Sequence, residues 1–218
     1  MTVAVAIFVK TPGVSPLKTR LAKTVGQQAA EAFFSLSLKA IQETLQVEGI
    51  TQYWAVAEEQ ALDNPLWESG ARLHTGEGDL GERQHYVYET LLRTYDKVIL
   101  IGADAPQLSA HDIQKAVDAL EDNDFVIGPA HDGGYYLFGG RVSTEQEMWR
   151  GITWSVQTTK AELEARLPSC PSYLQVLTDV DTQNDLYKLV EEMPEHLNPA
   201  QKELLEWIEK TRIVQCVS

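Results

Sequence analysis

Positive charge is scarce in this sequence. Its 218 residues carry 18 lysines and arginines against 32 aspartates and glutamates, a formal net charge of -14 at pH 7. A field of that sign repels phosphate polymers and anionic lipid, which excludes a general nucleic-acid or membrane-surface binder. Any phosphate that binds must meet a local pocket of cations. Cysteine is scarcer still: Cys170 and Cys216 stand far apart, without metal-ligand spacing or a partner histidine. That excludes a disulfide framework and fits two structural thiols in a reducing cytosol. No stretch approaches the ~18 consecutive apolar residues of a spanning helix. The apolar N-terminal run TVAVAIFV is short, has no cationic region before it and leads into Lys and Pro rather than a cleavage site. The expectation is a soluble, cytoplasmic protein. Repeats, low-complexity tracts and Ser/Gly linkers are also missing, and 44% apolar content over this length suits one sizeable core.

One segment reverses the charge pattern. Residues 1–30 contain Lys10, Lys18, Arg20 and Lys23 and not one Asp or Glu.

Strand and helix patterns alternate along the chain. Residues 2–9 predict a buried strand, and Gly26 to Gln46 places Ala29, Phe33, Leu36, Ala40, Ile41 and Leu45 near helical spacing. Strands are expected at 50–57 and 71–75 and a helix over 80–95. KVILIGAD (97–104) is the best strand, a continuous aliphatic run of the kind covered on both faces. Ser109 is placed to cap a helix reaching about Glu121. Strands at 125–129 and 135–139 flank the turn AHDGG. Helices near 156–167 and 183–192 bracket LQVLTDVDT, and Asn198 and Pro199 open a C-terminal helix over about 198–211. The whole predicts one α/β domain over 1–218, with a mostly parallel sheet and one antiparallel excursion.

Ligands of such sheets collect at the carboxyl ends of the strands. After the first strand, the turn-rich TPGVSP leads to LKTRLAK, where Lys10, Lys18, Arg20 and the start of a helix suit a bound phosphate. The alternative is a solvated basic loop. GADAP follows the best strand, and Asp104 there is either a hard-oxygen ligand for Mg²⁺ or Mn²⁺ or a turn cap. TDVDT sets two carboxylates at i, i+2 on an extended segment with Asp185 just beyond, either a second source of metal ligands or a helix cap. The glycines of TGEGDLGERQ and GPAHDGGYYLFG allow close approach of a flat ligand and let Asp132 and Tyr135 face a cleft, or simply make tight turns. His74, His131 and Trp154 read equally as structural or functional.

Six motifs in order, FVKTPGVSPLKTRLAK, GEGDLGER, LIGADAPQL, VIGPAHDGGYYLFG, ITWS and DVDTQNDL, span about residues 4–190. Together they resemble a family of bacterial GT-A-fold, glycosyltransferase-like proteins, the first transferase type linked to radical-SAM and selenium-domain gene clusters. That family lies within the nucleotide-diphospho-sugar transferase superfamily. The resemblance implies a single-domain, Rossmann-like GT-A fold, a mostly parallel mixed sheet of about seven strands with helices on both faces. It implies that Lys18 and Arg20, with Lys10, hold donor phosphates, that Asp104 and Asp181 bind the metal, Mg²⁺ or Mn²⁺, and that Leu80, Gly81 and Arg83 lie toward the nucleotide. Asp132, Gly134, Tyr135 and Trp154 fall on the acceptor side, with Asp132 the candidate base and Lys18 the second catalytic candidate. Ser15 stands where the family usually has Gly, and ADAP replaces Ser-Asp-Cys-Pro while keeping the ligand.

The expected activity is a metal-dependent transfer from a nucleotide or nucleotide-sugar donor to a small acceptor, glycosyltransferase-like. A nucleotidyltransferase of guanylyltransferase type, releasing pyrophosphate, is the alternative, and a non-catalytic nucleotide-binding module a further one. No nucleic-acid polymer and no membrane is expected as a partner. The acceptor and the oligomeric state are left open.

Overall fold

The computed structural model describes residues 1–211 and 213; Cys216 lies outside them. The strands are β1 (Val3–Val9), β2 (Ile50–Val56), β3 (Ala71–His74), β4 (Lys97–Gly102), β5 (Phe125–Pro129), β6 (Tyr135–Gly140) and β7 (Ser172–Tyr173). The helices are α1 (Thr19–Val25), α2 (Gln27–Thr44), α3 (Leu80–Leu92), α4 (Ala110–Asp122), α5 (Gln146–Arg150), α6 (Thr159–Glu164), α7 (Gln183–Glu191) and α8 (Pro199–Thr211). The strands form one sheet in the order β3-β2-β1-β4-β6-β5-β7. β1 pairs in parallel with β2 and β4, β2 with β3, and β5 with β7, while β6 is antiparallel to both β4 and β5. The α/β class, the seven-stranded mixed sheet and its one antiparallel strand agree with the sequence reading.

Period-two alternation divides the buried side chains between the two faces of the sheet. Val3, Val5, Ile7 and Val9 of β1, with Ile99 and Ile101 of β4, join Phe34, Leu38 and Ile41 of α2 and Ile113, Ala116 and Leu120 of α4. Ala4 and Ala6, with Val98 and Leu100, pack instead with Val87, Tyr88 and Leu91 of α3, Met148 and Trp149 of α5 and Leu163 of α6. A third cluster ties Leu21 of α1 and Phe33 of α2 to Leu186 and Leu189 of α7 and Leu204 and Ile208 of α8. Among the described residues, no helix is long and apolar enough to cross a membrane.

Caps fix the helix starts where the sequence puts them. Ser109 accepts the Asp112 amide at 3.1 Å, and Asn198 accepts the Gln201 amide at 2.8 Å. The helix expected over 156–167 is confined to Thr159–Glu164, because Thr159 Oγ1 bonds back to the Thr153 carbonyl and ties 153–158 into turns. β7, α5 and the 3-10 turns at Glu59–Ala61 and Pro65–Trp67 are too short for any periodicity to show.

β6 can lie against β4 and β5 because Gly140 leaves room for a ring. A Cβ there would run into the Tyr88 hydroxyl and come within 3.0 Å of the Phe125 ring. That hydroxyl donates to the Val142 carbonyl at 2.6 Å. Gly140→Ala should therefore cost about 1–3 kcal/mol through overpacking, read as a lower urea midpoint with an unchanged slope. A variant as stable as the parent would show that Tyr88 gives way freely.

Candidate functional site

Four loops meet at the carboxyl edge of the sheet. β1 and β4 are paired from Val3↔Lys97 to Phe8↔Gly102, so the segment after Val9 and the segment after Gly102 leave the sheet side by side. β6 runs the other way, which brings the turn before Tyr135 to the same edge. The fourth segment, 177–181, is tied in by the backbone: the Leu177 amide donates to the Pro129 carbonyl at 3.1 Å, and the Val180 amide to the Asp104 carbonyl at 3.0 Å.

Lys18 crosses between these loops. Its Nζ lies 2.8 Å from Asp104 Oδ1, also donates to the Val180 carbonyl, and stands 5.7 Å from the centre of the Phe33 ring. The side chain is only 4% exposed. Lys18 is also the N-cap of α1 and holds the left-handed conformation, φ 44° and ψ 38°. Lys18 and Ser155 are the described non-glycine residues with positive φ, so Ser15 lies outside the left-handed region that favours glycine. Arg20, largely exposed, places Nη1 2.9 Å from Asp181 Oδ2. Lys10 is exposed at the start of the loop.

The acidic residues divide by role. Asp185 accepts the Thr182 amide at 2.7 Å and the Asp181 amide at 3.1 Å, and so caps α7. Asp79 and Asp112 belong to the capping boxes of α3 and α4. Asp104, Asp132 and Asp181 instead act on Asp179. Burial first, then the charges of Asp104, Asp181 and Asp132, push the Asp179 carboxyl up to about 8 against the opposing Lys18 ammonium. Asp179 was not singled out from sequence; its signal was the i, i+2 spacing with Asp181. Arg20, His131, Asp132, Asp179, Asp181 and Lys188 are among the residues lining a cleft of about 220 Å³. Behind it, Glu192 accepts the Thr178 amide at 2.7 Å, bonds Gln107 at 3.0 Å and lies 3.2 Å from His131 Nε2. That network had no sequence signal, because its members come from separate segments.

The remaining expected residues are distributed around this edge. Asp132 is exposed and its Oδ1 accepts the Gly134 amide at 2.9 Å. Tyr135 points its hydroxyl inward to Gln84 Oε1 at 2.8 Å, and burial raises its pKa. Trp154 stands edge-on to Tyr135, with ring centres 6.4 Å apart. Gly81 is buried beneath Trp154 and the Trp149 carbonyl, where a Cβ would sit 2.7 Å from both, while the neighbouring Leu80 is exposed. Gly81 thus serves the close packing of α3. Arg83 binds the carbonyls of Gly78 and Ala57 at 3.0 and 3.1 Å and Thr75 Oγ1 at 2.9 Å, which joins the loops after β2 and β3.

In chelator-treated protein the raised Asp179 carboxyl has a consequence for pH. The unfolded chain ionises it near its ordinary 3.8 while the folded chain keeps the proton to about 8, so folding loses stability as pH rises through that window and the loss is complete above it. Asp179→Asn should accordingly be little different from the parent near pH 4 and relatively most stable above pH 8, in urea titrations. A difference that stays flat with pH would mean that Asp179 ionises normally.

The comparisons bear on the fold and the family. No curated protein matches the chain. A Desulfovibrio desulfuricans G20 protein, provisionally named a nucleotide-diphospho-sugar transferase, has a crystal structure that superposes at a TM-score of 0.84, with 28% identity over 97% of each chain. CMP:2-keto-3-deoxy-manno-octonic acid synthetase, in a complex with CTP, superposes at 0.53 with 13% identity, over 87% of this chain and 97% of that one. The 4-diphosphocytidyl-2C-methyl-D-erythritol synthase of Anaerococcus prevotii DSM 20548 superposes at 0.53 with 12% identity and the same coverage, and these last two show the fold alone. The fold is that of the nucleotide-diphospho-sugar transferases, as the six motifs implied. Residues 38–156 match the family described as "Uncharacterized protein conserved in bacteria (DUF2064)", and the chain belongs to that family.

Proposed function

We propose that the chain works as one divalent-metal-dependent transferase unit that takes its group from a nucleotide-activated donor, with glycosyl transfer the first reading. The observation that carries it is the pairing of Lys18 with Asp104 and of Arg20 with Asp181 at the carboxyl edge, at 2.8 and 2.9 Å. Cations suited to phosphate and carboxylates suited to a hard ion are thereby held within contact of one another. The likeness to the Desulfovibrio protein, through nearly the whole of both chains, supports a nucleotide-sugar donor.

Asp104 and Asp181 offer hard oxygens of the kind a divalent ion takes, and since no three His, Cys, Asp or Glu side chains among the described residues come together as a ready-made metal site, donor oxygens and water would complete the shell. Burial, and after it the charges of Asp104, Asp181 and Asp132, raise the neighbouring Asp179 to about 8, and Asp104 and Asp181 would hold Mg²⁺ or Mn²⁺. When bound, the ion supplies charge neutralisation for the phosphate oxygens. Lys18 and Arg20 bind those oxygens and steady the negative charge that grows on the departing nucleoside diphosphate. Leu80 and the loops joined by Arg83 border the base, and Gly134, Tyr135 and Trp154 border the acceptor. Asp132, exposed to the cleft, takes the proton of the acceptor hydroxyl as its oxygen bonds to the anomeric carbon and the bond from that carbon to the diphosphate breaks.

Nucleotidyl transfer is the second reading, favoured by three cations, Lys10, Lys18 and Arg20, in the loop after β1 and the first turn of α1, which suit the larger charge of a triphosphate. There the acceptor oxygen attacks the α-phosphorus and pyrophosphate leaves.

Incubating the protein and Mg²⁺ or Mn²⁺ with a panel of nucleotide sugars should release nucleoside diphosphate slowly even without acceptor, since water can replace it. With acceptor, Asp132→Asn should slow transfer by about 10²–10⁴-fold if this carboxylate is the base. Pyrophosphate from a nucleoside triphosphate, with no diphosphate from any nucleotide sugar, would decide for the second reading. Arg20→Ala should weaken donor binding by about 1.5–3 kcal/mol in calorimetry with little change in folding stability, as expected for a charge-assisted contact made from an exposed side chain. Equal affinity in variant and parent would return Arg20 to a plain surface ion pair with Asp181.

A further inference from the structure

Phosphate binding alone does not account for the surroundings of Lys18. A lysine that waits for an anion is ordinarily solvated, whereas this one is withdrawn from water and already coordinated. Its Nζ meets Asp104 Oδ1 at 2.8 Å and the Val180 carbonyl, above the face of Phe33. Its backbone is held at φ 44°, a conformation that a residue other than glycine keeps only where its surroundings impose it. The two oxygens that it touches, one carboxylate and one main-chain carbonyl, are the hard ligands that divalent ions select. In charge and in partners the ammonium stands where a metal ion would.

We propose that Lys18 is the resident cation of the metal subsite. Without donor it holds Asp104 and the Val180 carbonyl, and a divalent ion gains Asp104 only when donor phosphates draw the ammonium away. The proposal rests on the reading of Asp104 as a metal ligand. Its physical basis is that an ammonium and a dication cannot share one carboxylate at contact distance without strong repulsion in a partly buried site. Phosphate oxygens give Lys18 a second set of anionic partners, and its departure uncovers Asp104. Metal and donor then bind together, and neither the ion alone nor a metal-free donor completes the site.

The test is a Mn²⁺ titration followed by electron paramagnetic resonance, without nucleotide. Removing a positive side chain should strengthen metal binding: Lys18→Met and Lys18→Gln should each bind Mn²⁺ roughly tenfold or more tightly than the parent, equivalent to at least ~1.4 kcal/mol. Lys18→Gln keeps N–H donors for the Val180 carbonyl and guards against misfolding of the methionine variant. Adding Asp104→Asn to either variant should abolish the gain. If it does not, Asp104 is not the ligand and the proposal falls with that reading. Mn²⁺ affinity unchanged or weaker in both single variants would overturn the proposal directly. The parent gives a measurement that needs no variant: Mn²⁺ should raise its melting temperature far more with CTP or GTP present than without. A nucleotide that raises the melting temperature by itself, yet leaves the response to Mn²⁺ unchanged, would also overturn it. Failure of every nucleotide to bind would instead remove the transferase reading, while the titrations of the variants would still decide the place of Lys18.

Discussion

The site depends on two parallel strands that lie side by side. Because β1 and β4 are paired in register up to Phe8 and Gly102, the loops that follow them start within one strand spacing of each other. That is why Lys18, far along the first loop, can reach Asp104, two residues past the end of the fourth strand. The antiparallel β6 adds a third source of side chains to the same edge, since a strand that enters the sheet in reverse begins where its neighbours end. The bond from the Val180 amide to the Asp104 carbonyl then anchors the 177–181 segment against the loop it must face. The contact of Lys18 with Asp104 follows from those pairings, and the anchored 177–181 segment carries the Asp181 that meets Arg20.

What could be read from the sequence is what local physics decides. β1 and β4 were legible because strands covered on both faces need unbroken apolar runs, and the starts of α4 and α8 because Ser109 and Asn198 accept amides within their own first turns. The basic loop and Asp104 were legible as exceptions: cations without carboxylates, and a carboxylate at the end of the best strand. Local reasoning stops at contacts across the chain. The pairs Lys18 with Asp104 and Arg20 with Asp181 join residues 86 and 161 positions apart, and no spacing predicts either. Nor does spacing reveal that Tyr135 turns its hydroxyl inward to Gln84, or that Gly81 is needed for Trp154 rather than for an open pocket.

The three aspartates of DVDTQND show where that boundary falls within a single motif. All three suit a helix start, yet Asp185 alone serves it, as the partner of the N-cap Thr182 in a capping box, and its two amide contacts are local. Asp181 is released to Arg20, and Asp179 is drawn into the cluster with Asp104 and Asp132. A carboxylate bound to its own helix terminus has its charge satisfied by backbone dipoles. One that faces three others does not, and only the tertiary fold determines which aspartate meets which fate.

The overall acidity and the local basic loop are parts of one electrostatic arrangement. With a net charge of -14, the protein repels a polyphosphate at long range, so attraction must act over a few ångströms. Lys18 and Arg20 supply it, but both are partnered beforehand by Asp104 and Asp181, and for the buried Lys18 the pairing avoids an uncompensated charge. In the transferase reading, a phosphate that claims those cations must leave the carboxylates without counter-charge, and a divalent ion that bridges carboxylate and phosphate restores the balance. Donor binding is then an exchange of partners rather than the filling of a vacant basic pocket. An anion that arrives without a metal, or a metal without an anion, leaves one side of that exchange unsatisfied, and a site built this way selects the pair.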